Sequence, residues 1–320
     1  MTQSKTALIL GATGGIGHEV AAALSRHGWQ IKALHRDPAK AAALVSPFSV
    51  TWVKGDAMNA ADVINAARGA SLIVHAVNPP GYRNWAQLVV PMIESSISAA
   101  RASGARILLP GTIYNFGPDA FPILREDSPQ NPLTRKGKIR VEMERRLQAA
   151  AHTGVRSFIV RAGDFFGPTA GNNWFSQGLV KPGKPVTSIL YPGRRGAGHA
   201  WAYLPDLAET MAQLADREST LGVFERFHFA GQWDTDGVRM TNAIRAVVGS
   251  PNIAVRGFPW ALLALLSPFK TLFREMREMR YLWQEPLRLN NDRLLSVLKT
   301  EPRTPLEQAV HATLTGLKCL

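Results

Sequence analysis

A single cysteine in 320 residues, Cys319, leaves no partner for a disulfide within the chain. It also argues against a thiolate-based zinc site. Such thiol poverty fits a reducing compartment, so the expected location is the cytoplasm. Long hydrophobic runs are missing as well. A membrane-crossing helix needs roughly 18 apolar residues, whereas the most apolar stretch, 258–266, gives way to Ser267, Pro268 and Lys270. The first residues lack the shape of a secretory leader, because residues 7–10 are one strand long and run into glycines. No His, Asp and Glu cluster has metal-ligand spacing, so no metal is expected, and no G-x-S-x-G turn marks a serine nucleophile. Acidic residues are few beside basic ones, 24 against 37, for a formal charge of +13. That excess attracts anions in general. The basic residues are scattered, however, and no helix-turn-helix, zinc-finger or RNA-binding pattern accompanies them, so no nucleic-acid partner is expected.

What is present is an alternation. Residues 6–10, 30–34, 50–54, 71–76, 106–109 and 157–160 read as strands. Residues 16–27, 39–44, 60–67, 87–103 and 139–152 read as the helices between them. Strand then helix, repeated, predicts an α/β chain built on a doubly wound parallel sheet. After residue 163 glycine and proline become dense, and helical pieces follow at 204–215, 241–248, 259–282, 292–298 and 305–317. The expected division is a nucleotide-binding core, 1–163, and a smaller, loop-rich substrate lobe, 164–320. A strand near 223–230 would return to the core sheet.

The strongest local signal is "LILGATGGIGHEV". Gly11, Gly14 and Gly17 stand between a strand and a helix in a G-x-x-G-x-x-G run. The first allows the tight turn, the second a close approach of phosphate to backbone, the third close packing of helix on strand. A diphosphate would face the helix N-terminus across Gly11, Thr13, Gly14, Gly15, Ile16 and Gly17. The acidic residue that takes ribose hydroxyls in NAD binders is expected about 20 positions on. "ALHRDP" offers His35 and Arg36 there instead, and an arginine suits a 2′-phosphate. NADP(H) is therefore favoured over NAD(H), although Asp37 is also within reach of a ribose. Asp56 and Ala57 are expected at the adenine, and Ala76, Val77 and Asn78 along the cofactor's middle.

Together with "RAGDFFGP" at 161–168, "HAWAYLPDLAETM" at 199–211 and "NNDRLLSVLKTEPRTPLEQAV" near the end, these motifs resemble the extended branch of the short-chain dehydrogenase/reductase superfamily. That is the branch of NAD(P)-dependent epimerases, dehydratases and reductases, and the likeness runs over nearly the whole chain. The resemblance implies a Rossmann-type core and a catalytic Tyr-x-x-x-Lys with a Ser or Thr from the fifth strand. The tyrosine is the acid/base, the lysine tunes it and holds the nicotinamide ribose, and the hydroxyl orients the carbonyl.

In "NPLTRKGKIRVEME", Lys138 takes the lysine place, with Glu142 one turn on, and Thr134 stands where the tyrosine belongs. A threonine hydroxyl is too weak an acid and too short to replace a phenol. Thr112 falls at the Ser/Thr place, and Tyr114 nearby is the candidate phenol. This departure resembles the atypical subgroups. Asn115, Asn172, Asn173, Trp174 and His199 are candidate substrate contacts. His75 reads as a core histidine. Residues 258–283, apolar and then basic, read as a helical wall of the substrate lobe, with a lid, a dimer face or an interfacial membrane segment as alternatives. The expected activity is NADP(H)-dependent oxidoreduction of a carbonyl or hydroxyl on a small molecule, with a homodimer as a candidate assembly. A non-catalytic NADP(H) sensor and a nucleotide-sugar epimerase or dehydratase are the alternatives.

Overall fold

The computed structural model describes residues 5–44, 47–79, 84–169, 173–267 and 271–320. Asn172 and Pro268 lie outside the described residues. The core is a seven-stranded parallel sheet. Its first five strands in the chain are β1 (Thr6–Leu10), β2 (Gln30–His35), β3 (Thr51–Lys54), β4 (Leu72–His75) and β5 (Arg106–Thr112). Ser157–Ala162 and Phe224–His228 complete it beyond β5. β1 pairs with β2 on one side and β4 on the other, with Leu10 opposite both Leu34 and His75. The chain therefore winds outward to β3 and returns across β1, leaving a crevice at the carboxyl ends of β1 and β4.

Alternation along β1 decides how the layers form, since successive side chains point to opposite faces. Ala7 and Ile9 join a core with helices α1 (Gly15–Arg26) and α6 (Leu204–Asp216). Leu8 and Leu10 join the opposite core. The helices on that second face are α3 (Ala60–Ala66), α4 (Trp85–Ser103) and α5 (Arg135–Ala151). Burial on both faces explains why the strands read as continuous apolar runs. A third core, rich in aromatic rings, fills the C-terminal half, includes Trp174, Trp201 and Trp283, and takes the buried face of α7 (Arg239–Val248).

The angular setting of α5 has an identifiable cause. Arg161, fully buried on its strand, holds Glu144 of α5 through two bonds, Nε to Oε1 at 3.0 Å and Nη2 to Oε2 at 2.5 Å. Its Nη1 donates to the Glu126 carbonyl at 3.3 Å, and its guanidinium lies 5.0 Å from the Phe116 ring. Residues four apart on a helix share a face. Fixing Glu144 inward therefore turns Arg140 and Lys136 inward too. Glu142 is turned outward, where Arg145 and Arg146 bind it and hold its carboxyl down at about 2.

On the other face, His27 at the end of α1 clasps α6. Its Nδ1 lies 2.6 Å from Asp216 and its Nε2 2.8 Å from Glu209. Partial burial disfavours the imidazolium, but the bonds and charges of Asp216 and Glu209 outweigh it and raise His27 above its ordinary 6.5. The clasp's contribution is therefore full below the unfolded-state value and lost as pH rises through the raised folded value. Urea titrations of the parent chain and His27→Ala should differ more at pH 6 than at pH 9. An equal difference at both would show that His27 is not bound as imidazolium.

Candidate functional site

A groove of about 680 Å³ runs along the carboxyl ends of β1, β2 and β4. Gly11, Thr13, Gly14, Gly15 and Ile16 line it, as do His35, Arg36, Asp56, Ala57, Ala76, Val77 and Asn78. The loop glycines are needed for stated reasons. Gly11 has φ +92°, and a Cβ there would lie 2.6 Å from the Ala76 carbonyl oxygen. Gly17 does not line the groove: a Cβ on it would meet the Gly11 carbonyl at 2.2 Å, so it serves the packing of α1 on the turn. Gly14, the residue before α1, offers no side-chain cap. The first N–H groups of the helix are thus available to an anion in the groove. These features fit a dinucleotide: length, a bare backbone at the turn, and Arg36 at the end of β2.

Asp37 turns away from that end. Its carboxylate accepts from the Lys40 N–H at 3.1 Å and caps α2 (Pro38–Ala42). His35 Nδ1 lies 2.7 Å from the Asp37 carbonyl. Asp56 lines the groove while its Oδ1 accepts from the Met58 N–H at 2.9 Å.

A smaller cavity of about 120 Å³ adjoins the groove and shares Asn78, Phe165 and Asn173 with it. Thr112, at the end of β5, and Tyr114 stand on one wall. Thr112 Oγ1 accepts from the Tyr114 N–H at 3.3 Å. Trp174 also lines the cavity, as expected from the sequence.

The helix facing these residues corrects the expected register. α5 begins at Arg135, four residues before the expected start, with Thr134 as its cap: the threonine hydroxyl is buried and accepts from the Gly137 N–H at 3.0 Å. Thr134 is a structural cap and lines neither cavity. Lys138 is exposed and lines neither cavity. The residues of α5 that line the small cavity are Lys136 and Arg140. They carry the i, i+4 spacing of the Tyr-x-x-x-Lys pair, with lysine in the tyrosine place and arginine in the lysine place. A Thr immediately before a helix is a capping signal, and that signal could have set the register from sequence.

Two further expectations are corrected. Asn115 is fully buried, donates to Gln130 Oε1 at 3.0 Å and lines neither cavity. His199 lies behind the cavity wall: its Nε2 is 2.9 Å from Asp164 Oδ2 and its ring stacks on Trp283 at 3.7 Å. Asp164 lines the cavity in its stead. Gln177, Met276 and Met279 are lining residues that the sequence did not single out. His75 is buried, with Nδ1 2.8 Å from Ser96 Oγ. Burial, together with the Arg140 charge, lowers it to about 3, so it is neutral at physiological pH. Among the described residues no cluster of His, Cys, Asp and Glu could hold a metal, and no helix is long and apolar enough to cross a membrane.

Residues 11–173 match the NAD(P)H-binding family, and the chain belongs to that family. A 3-diazoavenalumate denitrifying reductase of Streptomyces is 29% identical over 182 residues, 51% of this chain and 57% of that protein. An isoflavone reductase homologue of Zea mays is 36% identical over 89 residues, 26% of this chain and 29% of that protein. The matched stretch thus spans less than two thirds of either relative. Over nearly its full length the chain shares its fold with two solved structures. MoeE5 in complex with UDP-glucose and NAD superposes with TM-score 0.74 at 17% identity, covering 98% of both chains. The UDP-glucose 4-epimerase of Bifidobacterium longum superposes with TM-score 0.74 at 11% identity, covering 99% of this chain and all of that one.

Proposed function

We propose that the chain is an NADP(H)-dependent reductase of a small carbonyl compound, with Lys136 as its proton donor. The observation that carries this reading is that the Lys136 cavity shares Asn78, Phe165 and Asn173 with the glycine-lined groove. Gly11 to Ile16 would hold the diphosphate, Arg36 a 2′-phosphate, Asp56 and Ala57 the adenine, and Ala76 to Asn78 the middle of the cofactor. The nicotinamide supplies the hydride when bound. Thr112 and Tyr114 hold the carbonyl oxygen toward α5. In its ammonium form Lys136 delivers a proton to that oxygen as charge develops. Arg140, one turn on, stabilises the same charge, and Asp164, held by His199, fixes a polar group of the substrate. Trp174 and Met279 leave room for a compact, largely apolar remainder.

The two curated relatives are reductases by name, which supports the same direction. The small cavity, about 120 Å³, suits a compact substrate, since sites for drug-sized ligands run to roughly 300–1,000 Å³. Steady oxidation of NADPH by purified protein with a panel of small ketones, aldehydes and conjugated carbonyl compounds tests the proposal. Binding of NADPH without turnover on any of them counts for a sensor instead. For the cofactor preference, Arg36→Ala should weaken NADPH about 10- to 100-fold, the loss of charge-assisted bonds to a phosphate, and leave NADH nearly unchanged. Equal effects on the two nucleotides would remove Arg36 from the 2′-phosphate.

A further inference from the structure

Helix α8 (Trp260–Leu266) presents an exposed apolar surface. Its sequence, WALLALL, contains no charged side chain, and its one polar group, the Trp260 indole N–H, donates to the Pro192 carbonyl at 2.9 Å. Ala261, Leu262, Ala264 and Leu265 are exposed, Leu262 by 52% and Leu265 by 70%. At 3.6 residues per turn these positions fall on one half of the helix. Leu263 points the other way and is buried. The usual surface helix shows the reverse pattern, apolar inward and polar outward. Exposed arginines flank both ends. Arg280 lies over the Trp260 ring at 5.7 Å, and Arg277 Nη1 donates to Ser267 Oγ at 3.3 Å. Helix α9 (Thr271–Glu278), which packs beside α8, contributes Met276 to the small cavity, and Trp260 packs on Trp174 of its wall.

We infer that α8 is a membrane-surface contact, lying flat in the headgroup region of an anionic bilayer with Leu262 and Leu265 inserted and Arg277 and Arg280 on the phosphates. Two features favour a bilayer over a protein partner. The exposed face is apolar without a hydrogen-bonding group to register a partner. The arginines at its ends and the formal charge of +13 complement anionic headgroups. The inference concerns residues outside both cavities and does not require the proposed activity.

Flotation of the full chain with phosphatidylglycerol/phosphatidylcholine vesicles tests it, with phosphatidylcholine vesicles as comparison. The parent chain should float with the anionic vesicles and much less with the neutral ones. L262S/L265S, which conserves charge, should bind about tenfold less, because two inserted leucines contribute at least that much. R277E/R280E should lose the preference for anionic vesicles. Circular dichroism and NADPH titration establish that each variant is folded. Undiminished flotation of L262S/L265S would overturn the inference, leaving only diffuse charge attraction. So would no flotation of the parent chain, or a dimer in sedimentation that L262S/L265S dissociates while vesicle binding is absent.

Discussion

Lys136→Met should lower kcat by about two to four orders of magnitude, the usual worth of a positioned proton donor, while NADPH still binds. Methionine keeps the length and apolar stem of lysine, so the cavity wall stays filled and only the ammonium is lost. Lys138→Met is the paired comparison. Lys138 is exposed on the outer side of α5, and its loss should leave turnover near the parent value. The two variants differ by two positions on one helix, yet the expected rates differ a hundredfold or more. A large loss at 138 with little at 136 would restore the register expected from sequence and remove Lys136 as the donor. Rates of NADPH oxidation and a separate NADPH titration distinguish lost chemistry from lost binding.

The second large effect is on stability. Glu144→Gln should destabilise the fold by about 3–5 kcal/mol, because it leaves the Arg161 guanidinium buried without its countercharge. Arg161 is fully buried and Glu144 is 5% exposed, so water cannot substitute for the missing carboxylate. Urea unfolding measures the loss. Replacing both residues, as in E144M/R161M, should recover much of it, since the cost lies in the orphaned charge and not in a missing attraction. A loss below about 1 kcal/mol in the single variant would mean that α5 is held by its apolar face alone. Activity should fall in E144M/R161M even where stability recovers, because the pair sets the rotation that aims Lys136.

That rotation explains what the sequence made legible and what it did not. β1 and the glycine turn were legible because their requirements are local. Gly11 must take positive φ, Gly17 must let α1 touch the turn, and the apolar run of β1 announces burial on both faces. The groove followed from those facts, and of the residues expected along the cofactor all but Gly17 and Lys138 line it. The α5 site was not legible in the same way. Helical spacing gives a face only when the start is known, and the start depended on reading Thr134 as a cap instead of a catalyst. The face that turns inward depends on Arg161, 17 residues beyond Glu144 and on another element. His199 failed as a substrate contact for a related reason: its partner Asp164 is 35 residues away in sequence, and only the pairing of their strands brings Asp164 to the cavity and His199 behind it. Asn115 sits one residue past Tyr114, but the turn there sends one side chain to the cavity and the other into the core.

The most direct measurement of the central claim is a calorimetric titration of the purified protein with NADPH and NADH, repeated for Gly14→Val. One-to-one binding of NADPH, tighter than NADH and abolished in a folded Gly14→Val variant, is the expected result. Absence of binding by either nucleotide, or binding untouched by a side chain at Gly14, would contradict a diphosphate seated on that turn.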